Sequence, residues 1–313
     1  MSLLSKLVLK GMRLARLKDR VRKNDLNQLQ KYSLPLPPAS VAKTVTTEAL
    51  EVNGSKGVWL NKQNKWNGVL VYLHGGGYII GPLKAQWQYI ARLVRATDRA
   101  ALVIDYRQLP QFPFPAGLDD VLTIITHLQE NGILPAKWFL LGDSAGGGLA
   151  LATTYKLREN NAPLPQKLIL MSQWLDINMS NPAFTQTAAA DPMLSLAGIR
   201  YAAAEYSRQN HPHNPFISPI FGEVHGLPPL LLQVGTAEIF LWDIRKFYLK
   251  LIEAQVPVQY EEYPDLFHVF VLFNYLPEAK KAFKAQVEFL KGNNSTEGKI
   301  NQNTVLAKVS ISQ

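Results

Sequence analysis

The sequence contains no cysteine. That absence excludes a disulfide framework, a thiolate nucleophile and any thiolate-bound zinc or iron–sulfur site, and it fits a reducing, cytoplasmic setting. A continuous apolar run of the roughly 18 residues needed to cross a bilayer is also missing. The opening stretch, MSLLSKLVLKGMRLARLK, places lysines inside its apolar run and offers no small-residue cleavage site, so a signal peptide is not expected. Charged residues make up 18% of the chain against 47% hydrophobic, which excludes an intrinsically disordered protein. A length of 313 residues suffices for one large α/β domain or two smaller ones.

Acidic residues are the scarcer charge, 24 against 33 basic, giving a formal net charge of +9. Residues 1–31 hold nine basic and two acidic residues, so this segment alone carries +7 of that excess. The body is nearly neutral and no nucleic-acid motif accompanies the charge, so no nucleic-acid partner is expected. Within the segment Leu4, Leu7, Gly11, Leu14 and Val21 fall near one helical face, with cations around the rest. The expectation is a helix that buries this stripe and leaves its basic face in water. A second reading is attachment to an anionic membrane surface.

What the chain does have is a series of short apolar and β-branched runs after the Pro-rich break LPLPPAS (34–40). They are TVTTEALEV and GVWL, then GVLVYLH (68–74), AALVIDY (100–106), KWFLLG (137–142), KLILMS (167–172), PLLLQVG (229–235) and VPVQYEEY (256–263). Most are apolar throughout, as strands covered on both faces of a parallel sheet are. Helical patterns near 83–97, 116–131, 145–159 and 241–254 separate them, which predicts one doubly wound α/β sheet of about eight strands. The stretch 176–215 breaks the alternation; in it Asp191 is expected to cap a helix with Pro192 at its first position. Together with N-terminal helices over 1–40, that insertion would form a cap above the carboxyl ends of the strands, where such sheets bind ligands. The predicted organisation is therefore cap helices over 1–40, a catalytic domain over 41–291 and a polar extension over 292–313.

Gly142-Asp143-Ser144-Ala145-Gly146 matches Gly-x-Ser-x-Gly where the strand KWFLLG turns into a helix. Flanking glycines permit the strained elbow that lifts a serine hydroxyl above the sheet, at a helix N-terminus that favours developing negative charge. A serine attacks only when a base takes its proton and donors hold the resulting oxyanion. His74-Gly75-Gly76-Gly77, at the end of VLVYL, supplies backbone amides that no side chain shields, so Gly76, Gly77 and Ala145 are the expected oxyanion hole. With the serine on an elbow, the order runs Ser, acid, His. Of six histidines, His268 in EEYPDLFHVF lies just after the last strand, where the base belongs. His211-Pro-His213 lacks carboxylates at ligand spacing, and no metal site is expected. For the acid, Glu238 is favoured because it sits on the loop after PLLLQVG. Asp243 opens a helical pattern where the helix dipole already accounts for it, and Asp265 stands third.

These segments together resemble the hormone-sensitive-lipase-like carboxylesterases, the bacterial family IV group of α/β-hydrolases. The likeness spans about Val58 to Phe270 through YLHGGGYIIG, IDYRQLPQFPFPAGLDD, LLGDSAGGGLA, DPMLSLAGIRYAAAEY, SPIFGEVHGLPPLLLQVGTAEIF and YPDLFHVF. It implies an eight-stranded α/β-hydrolase core with an N-terminal cap, no cofactor, and a small-molecule ester of short or medium acyl chain as substrate. Two departures stand out. Tyr106-Arg107-Gln108-Leu109-Pro110-Gln111 replaces the usual Tyr-Arg-Leu-Ala-Pro-Glu, and Glu238 stands where many relatives carry Asp. Rival readings are a lactone or amide hydrolase using the same triad, and a ligand-binding protein on the same fold. Self-association is left open by the sequence.

Overall fold

A computed structural model describes residues 1–14 and 29–292 of the chain. Eight strands form one sheet: β1 (Thr47–Val52), β2 (Ser55–Leu60), β3 (Val69–Leu73), β4 (Ala100–Asp105), β5 (Trp138–Asp143), β6 (Lys167–Met171), β7 (Leu230–Gly235) and β8 (Val258–Tyr263). Their spatial order is β1-β2-β4-β3-β5-β6-β7-β8. β1 pairs antiparallel with β2 and β2 with β4, and all other pairs are parallel. Every run read as a strand is one. The interior strands β3, β5 and β7 are buried along their whole length, which is why they carry no polar alternation.

Helices cover both faces. α1 (Leu3–Leu14) opens the chain; α2 (Lys84–Thr97), α3 (Ala116–Glu130) and α4 (Ala145–Glu159) follow β3, β4 and β5 in turn. After β6 come α5 (Phe184–Ala190) and α6 (Leu196–Ser207), and the chain finishes with α7 (Leu241–Glu253) and α8 (Pro277–Lys291) around β8. One core cluster joins Val71, Leu140, Leu170 and Leu232 to α3, α4 and α7; the other joins Leu70, Tyr72, Phe139 and Ile169 to α2, α8 and α1. Each strand thus feeds alternate side chains to opposite cores. Among the described residues no helix is long and apolar enough to cross a membrane.

Two local expectations are corrected. The buried side of α1 is Ser5, Leu9 and Met12, whereas Leu4, Leu7, Gly11 and Leu14 face outward. The physical reason is polar. Ser5 Oγ donates to Glu278 Oε2 at 2.6 Å, and Ser2 holds the same carboxylate, which turns this face of the helix toward the start of α8. Val21, the last member of that stripe, and the extension from residue 293 onward lie outside the described residues. Asp191, in turn, does not cap the helix after it. Ser195 does so, accepting from the Gly198 N–H at 3.1 Å, while Asp191 ends α5 and spends its carboxylate on the N–H groups of Met193, Leu194 and Ile239.

Candidate active site

β5 ends at Asp143 and α4 begins at Ala145, so Ser144 occupies a one-residue elbow. Its φ of 52° is a conformation that costs a non-glycine residue about 1–3 kcal/mol. Packing holds it there. The Ser144 N–H donates to Met171 O at 2.9 Å and its carbonyl accepts from the Trp174 N–H at 2.9 Å. Gly146 must be glycine because a Cβ would overlap the Leu73 and His74 carbonyl oxygens on the adjoining strand end. The elbow is therefore wedged between the ends of β3 and β6.

His268 reaches this elbow from the loop after β8. Its Nε2 lies 2.9 Å from Ser144 Oγ, and its Nδ1 lies 3.5 Å from Glu238 Oε1, at the outer limit of hydrogen bonding. All three side chains are buried. Burial by itself lowers the imidazole pKa, but the Glu238 carboxylate, helped by Asp191 and Asp143, outweighs it and leaves His268 above its ordinary value. Glu238 is fixed in turn, because its Oε2 accepts from Ser172 Oγ at 2.6 Å and from the Gly235 N–H at 3.1 Å.

The other two carboxylates considered for the acid lie elsewhere. Asp243, in the first turn of α7, faces Asn181 Nδ2 at 3.4 Å, and its Oδ2 is buried without a partner. Burial, reinforced by the nearby Asp176 charge, pushes its pKa up to about 7. Asp265 sits on an exposed turn. None of the other five histidines is hydrogen-bonded to Ser144. His74 is buried beneath the glycine loop, stacked on Tyr106 at 4.3 Å, and burial depresses its pKa to about 4. Among the described residues no cluster of three or more His, Cys, Asp or Glu side chains is placed to hold a metal ion.

The glycine loop after β3 lies directly against the elbow. Gly76 has a φ of 126° and Gly77 one of 65°, and a Cβ on Gly76 would overlap the Ile80 carbonyl. Neither amide has an acceptor among the described residues. Ala145 contributes the first N–H of α4, which no intrahelical carbonyl can satisfy. In front of Ser144 opens a cavity of about 300 Å³, shared by Gly76, Gly77 and His268 with apolar side chains that include Leu29, Ile199, Ala202, Leu272 and Phe273.

Comparison with known proteins places the chain in a family. Residues 70–272 match the sequence profile of the α/β-hydrolase fold family. The chain is 35% identical over 234 residues to an acetyl-hydrolase of Streptomyces hygroscopicus, covering 74% of this chain and 78% of that one. An esterase crystal structure from the bacterial hormone-sensitive lipase family superposes with a TM-score of 0.81 at 32% identity, over 93% of this chain and 99% of the other. A crystal structure of EstE5 soaked with p-nitrophenyl butyrate gives a TM-score of 0.83 at 31% identity over the same shares. The chain belongs to the hormone-sensitive-lipase-like α/β-hydrolases.

Within that family its departures have a structural sense. Gln108, foreign to the usual motif, donates from Nε2 to the Gly81 carbonyl at 2.9 Å, at the end of the glycine loop. The Leu109 N–H donates to Tyr78 O at 2.8 Å, so the altered segment still braces that loop from behind.

Three polar residues around this candidate site were given no part in it by the sequence reading. Asp143 accepts from the Gly75 N–H at 3.0 Å, from Gln86 Nε2 at 3.0 Å and from the Tyr72 hydroxyl, tying the elbow to the glycine loop. Burial pushes its pKa up, against those donors. Ser172 joins Glu238 to the His268 loop, since its hydroxyl also accepts from the Val269 N–H at 3.1 Å. Asp191 anchors the insertion beside them. A signal existed only for Asp143, a carboxylate inside the elbow motif; Ser172 looked like the end of an apolar strand.

Proposed function

We propose that the protein is a serine carboxylesterase that hydrolyses short- to medium-chain acyl esters through an acyl-enzyme. The observation that carries this reading is the 2.9 Å approach of His268 Nε2 to Ser144 Oγ beside the unpaired Gly76 and Gly77 amides. In the proposed cycle His268, oriented by Glu238 at Nδ1, takes the Ser144 proton as Oγ attacks the ester carbonyl. The N–H groups of Gly76, Gly77 and Ala145 then hold the oxyanion. His268 returns the proton to the departing alcohol, and a water molecule, deprotonated by the same imidazole, releases the acid from Ser144. The preset amides are an electrostatic device: each such donor is worth about 2.7–4 kcal/mol in the transition state.

The apolar lining and the cavity of about 300 Å³ favour acyl chains of modest length; we expect a range of about two to eight carbons, since each buried methylene contributes about 0.8 kcal/mol until the cavity is full. The names of the relatives point the same way, one an acetyl-hydrolase and one soaked with a butyrate ester. A series of nitrophenyl esters from acetate to palmitate, with mass spectrometry of the quenched enzyme, tests both claims. A peak of kcat/KM inside that range and a mass adduct on the Ser144 peptide are expected. Full turnover with no adduct on Ser144 would overturn the nucleophile assignment.

A further inference from the structure

We infer that the outward face of α1 is a docking surface for an anionic lipid bilayer. The inference is independent of the proposed chemistry, because it concerns a surface that carries none of the reacting groups. Four of the ten exposed large hydrophobic side chains among the described residues lie on this one helix: Leu3 and Leu14 at 75% exposure, Leu7 at 59% and Leu4 at 42%. At 100° per residue, Leu3, Leu7 and Leu14 share one stripe, with Leu4 and Gly11 along one edge of it. Lys10, Lys6 and Arg13 follow along the other edge, all exposed, and no acidic residue occurs in the helix. Leucines bordered by cations are the pattern of a helix that lies in the plane of a membrane interface, the leucines among the acyl chains and the cations at anionic headgroups.

The body of the protein holds the helix in a fixed attitude. Ser2 and Ser5 bind Glu278, and Leu9 and Met12 join the apolar cluster against which Met193, Leu272 and Phe273 also pack. Those last three residues line the cavity in front of Ser144. α8 fixes the end of the sheet involved. Lys167 Nζ, at the start of β6, donates to Phe289 O near the helix C-terminus. Glu278, at the other end of α8, therefore lies toward the carboxyl ends of the strands. The lipid-facing helix and Ser144 thus share one end of the molecule. Charge complementarity selects an anionic bilayer as the occupant, and the leucines distinguish that partner from a nucleic acid, to which they would be a liability.

The test is co-sedimentation of the full chain with vesicles of phosphatidylcholine alone and of equal parts phosphatidylcholine and phosphatidylglycerol. Binding is expected to the second and not the first, and to weaken at 1 M salt, where the Debye length falls to about 3 Å. One variant replaces Lys6, Lys10 and Arg13 by Gln. Each cation at such a surface contributes roughly fivefold, so partitioning should drop about a hundredfold. A second, Leu7→Glu with Leu14→Glu, should lose binding while keeping its melting temperature and its turnover of soluble nitrophenyl butyrate. Equal binding to both vesicle types, or undiminished binding by either variant, overturns the inference. So does a fall in melting temperature in the leucine variant, which would mean that the chain itself covers this face. A dimer in the parent that becomes monomeric in the leucine variant would assign the face to a second copy instead. Cation-dependent retention of a DNA duplex without vesicle binding would assign it to nucleic acid.

Discussion

The floor and the roof of the cavity are built on different principles. On the floor, Ser144, Glu238 and His268 stand on loops that leave β5, β7 and β8 at the same end of the sheet, and hydrogen bonds fix each backbone within a residue or two. The roof consists of α6 and its neighbours, held by ring contacts and, toward the C-terminal end of α6, by the Phe114 N–H donating to Tyr206 O at 3.1 Å and Arg208 Nη2 donating to Pro110 O at 2.9 Å. Tyr206 of α6 stacks on Tyr78 of the glycine loop at 3.7 Å between centroids, with Phe114 edge-on to it. A strand end bonded on both sides cannot drift by an ångström without breaking its ladder, whereas an apolar contact can slide at small cost. For the esterase proposed above, chemistry that needs reacting atoms within about 3–3.5 Å belongs on the first kind of support, and tolerance for acyl chains of several lengths belongs on the second. Substitutions on the floor should therefore change rate, and substitutions on the roof should change selectivity.

The sharpest way to break that contrast is Ser144→Ala. It should lower kcat on nitrophenyl butyrate by at least ~10⁴-fold, because the covalent route is lost and only binding and oxyanion donors remain. Alanine inherits the same unfavourable φ, so the melting temperature should barely move. A folded variant with near parental turnover would show that the floor is not where the reaction happens.

Much of the floor was legible in the sequence because it is written in contiguous signals. Apolar runs are the strands, a glycine-flanked serine at a strand end is the elbow, and a histidine after the last strand can reach it. What could not be read are partners distant in the chain. Tyr72 and Gln86 meet at Asp143, and Ser172 meets Glu238, only because β3, α2 and β6 converge there. The roof side was less legible still. α1 carries two apolar stripes, Leu9 with Met12 and Leu3 with Leu7 and Leu14, and hydrophobicity alone does not choose between them. The choice falls to Ser5, whose partner Glu278 lies 273 residues away. Asp191 misled for the same reason: an Asp-Pro pair reads as a helix start, yet its carboxylate is taken by amides, among them that of Ile239.

Next in size is the pair of carboxylates. Glu238→Gln should reduce kcat by ~10²–10⁴-fold, since a neutral amide cannot support the imidazolium that forms during attack. Asp243→Asn should leave kcat nearly unchanged and act on stability with a pH-dependent sign. The Asp243 pKa rises from its ordinary value to about 7 on folding, so the folded state pays an increasing penalty as pH climbs from about 4 to 7. Asparagine removes that ionisation. Relative to the parent, the variant should gain in melting temperature at pH 8 over pH 4. The reverse ranking of the two variants in kcat would move the acid role to Asp243.

A subtler probe of the floor is the pH profile of kcat/KM. In the proposed cycle His268 must be neutral to accept the Ser144 proton, and its surroundings hold its pKa above the ordinary imidazole value. The acidic limb should therefore have its midpoint above about 6.5, with activity rising as pH increases. Glu238→Gln removes the largest influence that raises the value and leaves burial, so the midpoint should move down even as the plateau falls. A midpoint that stays in place would separate the limb from this histidine. The same ionisation has a stability sign: a raised imidazole pKa stabilises the fold most below about 6.5, and that contribution fades as pH passes the folded-state value.

The smallest expected effect belongs to the roof. Ala202 of α6 stands over Gly77, and Ile199 lies one helical turn away from it along the same cavity wall. Ile199→Trp should fill space beyond the reach of a short acyl group while leaving the reacting end open. Each methylene denied a place in the cavity forfeits about 0.8 kcal/mol, or roughly fourfold in kcat/KM. Octanoate should thus lose about tenfold relative to the parent, with acetate changed by less than about threefold. Ile199 packs among buried residues of α6, so overpacking of about 1–3 kcal/mol is a competing outcome, and a melting curve distinguishes it. If acetate and octanoate fell in parallel at unchanged melting temperature, the roof would be acting on the chemistry itself. The division of labour between bonded strand ends and sliding helices would then fail at the point where they meet, the contact between Ala202 and the glycine loop.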